Sequence, residues 1–132
     1  MADTAMRISI ESELHDLYKQ LAEGNNPEIA PFRTMKDVFM LAACLGFRRG
    51  EPKTLQGTRR QIFHWAQFSE QIDVPILKAI AIAATGDVEV LGNQSMIVRL
   101  AEEYANLGIH DVQLLIADHI GQPLWNLVDM LR

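Results

Sequence analysis

TMKDVFMLAACLG, residues 34–46, is the stretch on which the fold turns. Thr34 can accept hydrogen bonds from the free amides of a helix start, and Asp37, three residues on, completes a capping-box spacing. Residues 35–45 are apolar almost all round, with Val38, Phe39, Met40, Leu41, Ala42, Ala43 and Cys44. The helix they form is therefore expected to be buried on most sides, with Gly46 able to close it. A helix buried on all sides needs partners, and the flanking sequence supplies them.

Toward the N-terminus, Arg7-Ile8-Ser9-Ile10-Glu11 alternates polar with β-branched residues, the period-two mark of a short half-buried strand. Ser12 can cap a helix over residues 13–23, where Leu14, Leu17, Tyr18 and Leu21 share one face, and Gly24 with the turn Asn25-Asn26-Pro27 ends it. Toward the C-terminus, residues 48–58 (RRGEPKTLQGT) read as a charged loop broken by Gly50, Pro52 and Gly57. A third helix is expected over 59–71, with Ile62, Trp65, Ala66, Ser69 and Ile72 on one face. Asp73 and Pro75 start a fourth, apolar through residue 84 and ended by Gly86. Residues 87–91 alternate like a second short strand, or serve as an extended connector. A fifth helix over 94–107 would be capped by Gly108, and two more are expected over 111–120 and 123–131. The reading is mainly α, a compact single-domain helical array of about six to seven helices with at most two short β-strands. Residues 1–6 read as a flexible lead-in.

A chain of 132 residues has the size of one domain and can bury a sizeable core. With 48% apolar and 22% charged residues it lies far from the composition of disorder. No apolar run reaches a bilayer's thickness and no signal peptide opens the chain, so a cytoplasmic, membrane-free protein is expected. The single cysteine, Cys44, excludes an internal disulfide. The net charge of −5 conceals an uneven distribution. Residues 31–60 hold Arg33, Lys36, Arg48, Arg49, Lys53, Arg59 and Arg60 against Asp37 and Glu51, a net of +5, so the rest of the chain carries −10.

Catalytic chemistry finds little support. His15, His64, His110 and His119 show no spacing that places two rings on one helix face. Cys44 sits among Ala42, Ala43 and Leu45, a setting for packing and not for a reactive thiolate. Glu102 and Glu103 would point about 100° apart on a helix and read as solvated surface. The phosphate-binding, dinucleotide-binding and nucleophile-elbow motifs are absent. The expectation is a non-enzyme with no metal and no cofactor.

Two features point to nucleic acid. The order strand, helix, helix is that of a ribbon-helix-helix protomer, in which strands of two chains pair and lay their polar faces in the major groove. Arg7, Ser9 and Glu11 would then face outward from a homodimer, while Thr34 and Lys36 would hold a phosphate at a helix start. The gap from Gly24 to Arg33 is long for that fold, and Glu11 would repel the backbone. The second feature is the cluster Arg48, Arg49, Lys53, Arg59 and Arg60, with Arg33 in the same positive segment, where cations on a loop and a helix start could meet phosphates. The bland alternative is that these charges pair with the acidic remainder. Arg59 and Arg60 at a helix start would oppose its dipole, a cost of roughly 0.3 to 1 kcal/mol that suggests another use.

PFRTMKDVFMLAACLGF (31–47), IFHWAQF (62–68), AIAIAATGDVEVL (79–91) and AEEYANLGI (101–109) together resemble the DNA phosphorothioation-associated protein 4 family, over about residues 6–115. The segment 122–132 lies outside the recognised likeness. The resemblance implies a bacterial cytoplasm and a place beside the machinery that puts sulfur in the DNA backbone and restricts unmodified DNA. It carries over no catalytic residue. The function expected is an accessory protein of a phage-defence modification or restriction system that contacts duplex DNA, or its modification and restriction subunits, through the basic segment. The alternatives are a protein-interaction module without DNA contact and a ribbon-helix-helix-like regulator.

Overall fold

The computed structural model describes residues 2–22 and 32–117. The turn at Asn25-Asn26-Pro27, His119 and the helix expected over 123–131 lie outside the described residues. Among the described residues, four α-helices surround a two-stranded antiparallel sheet, in place of the six to seven helices expected.

Strand β1 (Arg7–Glu11) turns Ile8 and Ile10 into the core, as its alternation requires. A 3-10 turn (Ser12–Leu14) leads into α1 (His15–Ala22), which buries Tyr18, Leu21 and Ala22. Helix α2 (Met35–Arg49) begins at Thr34, whose side-chain oxygen accepts from the Asp37 amide at 3.3 Å. It does not stop at Gly46. It continues to Gly50, whose φ of +93° suits a residue without Cβ and whose amide closes the last turn on Gly46 and Phe47.

The largest departure from the sequence reading is at residues 59–71, where a helix was expected. Arg59–His64 is instead a second strand, β2, paired antiparallel with β1, and a 3-10 turn (Trp65–Gln67) follows. The pairing sets Ile8 against Phe63, both buried, and an irregularity between Ile8 and Ser9 shifts the register. The pattern of Ile62, Phe63 and Trp65 fits a helix face and a strand equally well. Burying Ile8 and satisfying the backbone of β1 selects the strand, a tertiary contact overriding local preference. Ile72, placed on the expected buried face, is 65% exposed.

Helix α3 (Asp73–Thr85) starts and ends as read, with Gly86 at φ +69°. Residues 87–91 form neither strand nor extended connector. The Asp87 carboxylate accepts from the Glu89 amide at 2.9 Å and starts a 3-10 turn, Val88–Gly92. Helix α4 (Gln94–Ala117) then runs without a break through Gly108, where two helices separated by a cap were expected.

The reason is packing. Helix α2 crosses α4 at Gly46 and Gly108, so closely that a methyl group at Gly108 would overlap the Ala42 carbonyl oxygen and lie 2.6 Å from the Gly46 nitrogen. A methyl at Gly46 would overlap the Tyr104 carbonyl. Both glycines are contact points between backbones, and neither ends its helix. Around this crossing Val38, Phe39, Ile109 and Val112 are fully buried. Edge-to-face rings tie the sheet to α2, with Phe39 and Phe63 centroids 5.6 Å apart and Phe63 and Phe68 5.3 Å apart.

Ahead of β1, Asp3 and Met6 are hydrogen-bonded to later parts of the chain. The Asp3 amide donates to Gln94 Oε1 at 2.7 Å, and the Trp65 amide donates to the Met6 carbonyl at 2.7 Å. No helix among the described residues is long and apolar enough to cross a membrane.

Candidate nucleic-acid interface

The eight cations singled out in the sequence divide into two groups. Lys36 is drawn inward, its ammonium 2.8 Å from Asp73 Oδ2 and 3.4 Å from Asp37. The hydrogen bond to Asp73 holds the Lys36 ammonium above its ordinary pKa, against the opposing pull of burial. Its charge is thus already matched by Asp73 and Asp37. Arg49 is paired fork to fork with Asp111, Nε to Oδ2 at 2.6 Å and a terminal nitrogen to Oδ1 at 2.7 Å. For these two the bland alternative, pairing with the acidic remainder, is what is found.

Arg7, Arg33, Arg48, Lys53, Arg59 and Arg60 are exposed, and none forms an ion pair within 4 Å of another described residue. Arg48 lies on the last turn of α2, where a cation complements the helix dipole, and not in the loop. Arg59 and Arg60 lie on β2, so the dipole argument made for them falls away. Strand register places Arg7 opposite His64, Ser9 opposite Gln61 and Glu11 opposite Arg59, which makes one face of the ribbon polar throughout.

The ribbon-helix-helix dimer fails on this geometry. β1 spends one edge on β2 of its own chain, and on the other side its Ser9 amide donates to Glu102 Oε2 at 2.7 Å. The strand cannot pair with a second copy as that fold requires.

Residues 51–58, between α2 and β2, have no regular structure yet are fixed at many points. Leu55 is buried. The Lys53 amide donates to the Glu103 carbonyl at 3.0 Å, the Gln56 amide to Glu11 Oε2 at 2.8 Å, and the Ser12 amide to the Thr58 carbonyl at 2.9 Å. Asn106, buried on α4, donates through Nδ2 to Glu11 Oε2 at 3.0 Å, with the Lys53 and Thr54 carbonyls at 3.1 and 3.4 Å. Burial pushes the Glu11 carboxyl upward, but the Gln56 amide, Asn106, Lys53 and His110 outweigh it and hold Glu11 below its ordinary value.

Glu102 is buried, contrary to its reading as solvated surface, whereas Glu103 is half-buried and 3.3 Å from Arg99. Burial raises the Glu102 pKa, only partly offset by the Ser9 amide and the charge of Arg59. A raised carboxyl lets the folded state keep a proton that the unfolded chain has released, so stability falls as pH rises through that window and stays lower at neutrality. Glu102→Gln, which keeps an acceptor for Ser9, is therefore expected to stabilise the protein at pH 7, with the gain vanishing below the carboxylate range. Glu102→Ala should cost about 1 to 3 kcal/mol by orphaning the Ser9 amide. Urea titrations at neutral and acid pH check both.

Neither Glu102 nor Asn106 was singled out as functional in the sequence. The signal was there in weak form, since Arg99, Glu102, Glu103, Asn106 and His110 recur at helical spacing along α4. Cys44 is half-buried, and burial raises its thiol pKa, which favours the unreactive form. Among the described residues no group of three His, Cys, Asp or Glu side chains is placed to hold a metal ion. What the surface offers chemically is a set of exposed guanidinium and ammonium groups beside an ordered backbone.

No curated protein and no solved structure matches the chain. The family model described as DNA sulphur modification system-associated protein 4 matches residues 7–131, and so extends across most of the C-terminal segment that the sequence resemblance did not reach. A match over nearly the whole length, through both strands and the four helices of the described residues, makes the chain a member of that family.

Proposed function

We propose that the protein is a non-enzymatic accessory component of a bacterial phosphorothioation-linked modification or restriction system, working in the cytoplasm in phage defence, and that it contacts duplex DNA through its cationic surface. The observation that supports this most directly is the exposed run Arg59, Arg60 and Gln61 on β2, with Lys53 exposed on the ordered loop; none of these cations has a carboxylate of the described residues within 4 Å. Two-stranded ribbons fit the major groove of B-DNA, and arginine and lysine neutralise its phosphates. Arg7, at the other end of the ribbon, and Arg48, on the last turn of α2, are further exposed cations, while Arg49 and Lys36 are paired with Asp111 and Asp73.

Affinity for duplex DNA is expected to fall steeply with salt, by a log–log slope of about 0.9 for each phosphate neutralised. Replacing Arg48, Arg59 and Arg60 together by alanine should reduce the slope by about two to three and leave the circular dichroism unchanged. A flat salt dependence at low ionic strength would remove DNA from the reading.

One feature favours protein contact instead. Ile72 just before α3, Ile76 within it, and Val88 and Leu91 in the turn after it are exposed apolar side chains that a protein partner could cover. Copurification with a modification or restriction subunit that survives nuclease treatment would favour that second reading.

A further inference from the structure

We propose that Asn106 and Glu11 form a positioning node that presets the loop 51–58 for the phosphate backbone, so that a carboxylate inside the positive area strengthens DNA binding when simple electrostatics says it should weaken it. The inference rests on the DNA-contact reading above and adds to it a residue pair with a defined role.

The charges around the loop conflict. Glu11 stands opposite Arg59 on the ribbon and within electrostatic reach of Lys53, where an anion repels DNA. If the surface served only as a field of positive charge, Glu11 would be a defect. Its geometry gives it another task. One oxygen, Oε2, accepts from both the Gln56 amide at 2.8 Å and Asn106 Nδ2 at 3.0 Å. The same Asn106 nitrogen reaches the Lys53 and Thr54 carbonyls, so a single buried amide group joins β1, α4 and the loop. Lys53 lies at the centre of this arrangement, its own amide on the Glu103 carbonyl and its side chain exposed.

A loop without helix or strand would otherwise sample many conformations and lose that freedom on meeting a ligand. Held in one shape beforehand, it presents Lys53 in a fixed place relative to Arg59, the residue opposite Glu11 on the ribbon. The acid at position 11 thereby does more for binding through order than its charge removes through repulsion.

The test uses paired substitutions whose electrostatic effect is the same and whose structural effect differs. Glu11→Gln removes the charge and keeps an oxygen for the Gln56 amide; Glu11→Ala removes both. With a duplex of about 20 base pairs at low salt, followed by fluorescence anisotropy, Glu11→Gln is expected to bind as tightly as the wild type or tighter. Glu11→Ala should bind about tenfold more weakly than Glu11→Gln, with a salt slope shallower by about one as Lys53 loses its place. Asn106→Ala should show the same shallower slope, and adding Lys53→Ala to it should change affinity little, although Lys53→Ala weakens the wild type. Should Asn106→Ala fail to fold, the Glu11 pair decides alone. Equal affinity of Glu11→Ala and Glu11→Gln overturns the positioning role. An Arg59→Ala, Arg60→Ala double variant that binds like the wild type has a different meaning: it removes the cationic interface itself.

Discussion

Gly108→Ala is expected to lower stability by about 3 kcal/mol, at the upper end of the range for overpacking a well-filled interior. Intrinsic preference predicts the opposite sign, since alanine exceeds glycine in a helix interior by about 1 kcal/mol. Contact geometry decides between them. The added methyl would overlap the Ala42 carbonyl, which belongs to the backbone of a fully buried stretch of α2 and cannot swing aside as a flexible side chain could. Gly46→Ala should cost a similar amount through Tyr104. The two changes together should cost less than their sum, because helices already forced apart at one glycine leave room at the other. Gly86→Ala provides the comparison: nothing lies within 4 Å of its Cβ position, and only its φ of +69° is unfavourable, worth about 1 to 2 kcal/mol. Urea denaturation with an unchanged m-value reads all four variants. A neutral or stabilising alanine at position 108 would mean that the helices do not touch as described.

Asp73→Ala should be the most damaging change to a single charge, with a loss of about 3 kcal/mol, the lower end of the range for breaking a buried pair from one side. Asp73 Oδ2 accepts from both Lys36 Nζ and the Ser69 amide at 2.8 Å, and the residue is only 6% exposed. Removing it strands a half-buried ammonium with, among the described residues, Asp37 alone, 3.4 Å away, to offset it. Lys36→Met should be milder, since Asp73 keeps the Ser69 amide, and combining the two should restore part of the loss. The raised Lys36 pKa fixes the sign with pH. Its stabilising contribution is complete below the ordinary lysine value and disappears as pH climbs through the folded value. The part of the gap between wild type and Asp73→Ala that comes from Lys36 should thus hold at neutrality and disappear in strong alkali, leaving the part due to the Ser69 amide. Thermal unfolding at neutral and alkaline pH checks this.

Local signals were readable in the sequence and long-range ones were not. β1 could be found because Ile8 and Ile10 alternate within five residues, and α3 because Asp73, Pro75 and Gly86 bound it with their own backbone chemistry. β2 was hidden because only two of its six residues, Ile62 and Phe63, are apolar, and they are adjacent. Its strand character comes from β1. Gly46 and Gly108 were taken for helix ends because a glycine that permits a turn and one that permits two backbones to touch look alike in one dimension. The site divides in the same way. That cations gather between residues 31 and 60 is plain from composition. That Lys36 and Arg49 are neutralised depends on Asp73 and Asp111, which are far away in sequence. The anchoring of the loop by Asn106 had no local signal beyond the recurrence of polar residues at helical spacing on α4.

The closure of β1 onto β2 within one chain bears on how the molecule is made. During synthesis β1 leaves the ribosome with its partner roughly fifty residues behind, the separation that makes strand pairing slow. At translation rates of about 5 to 20 residues per second, Ile8 and Ile10 wait roughly three to ten seconds for Phe63 to emerge. For that interval the nascent segment is an unpaired, β-prone edge, the kind of stretch that chaperones shield and that aggregates when expression outpaces them.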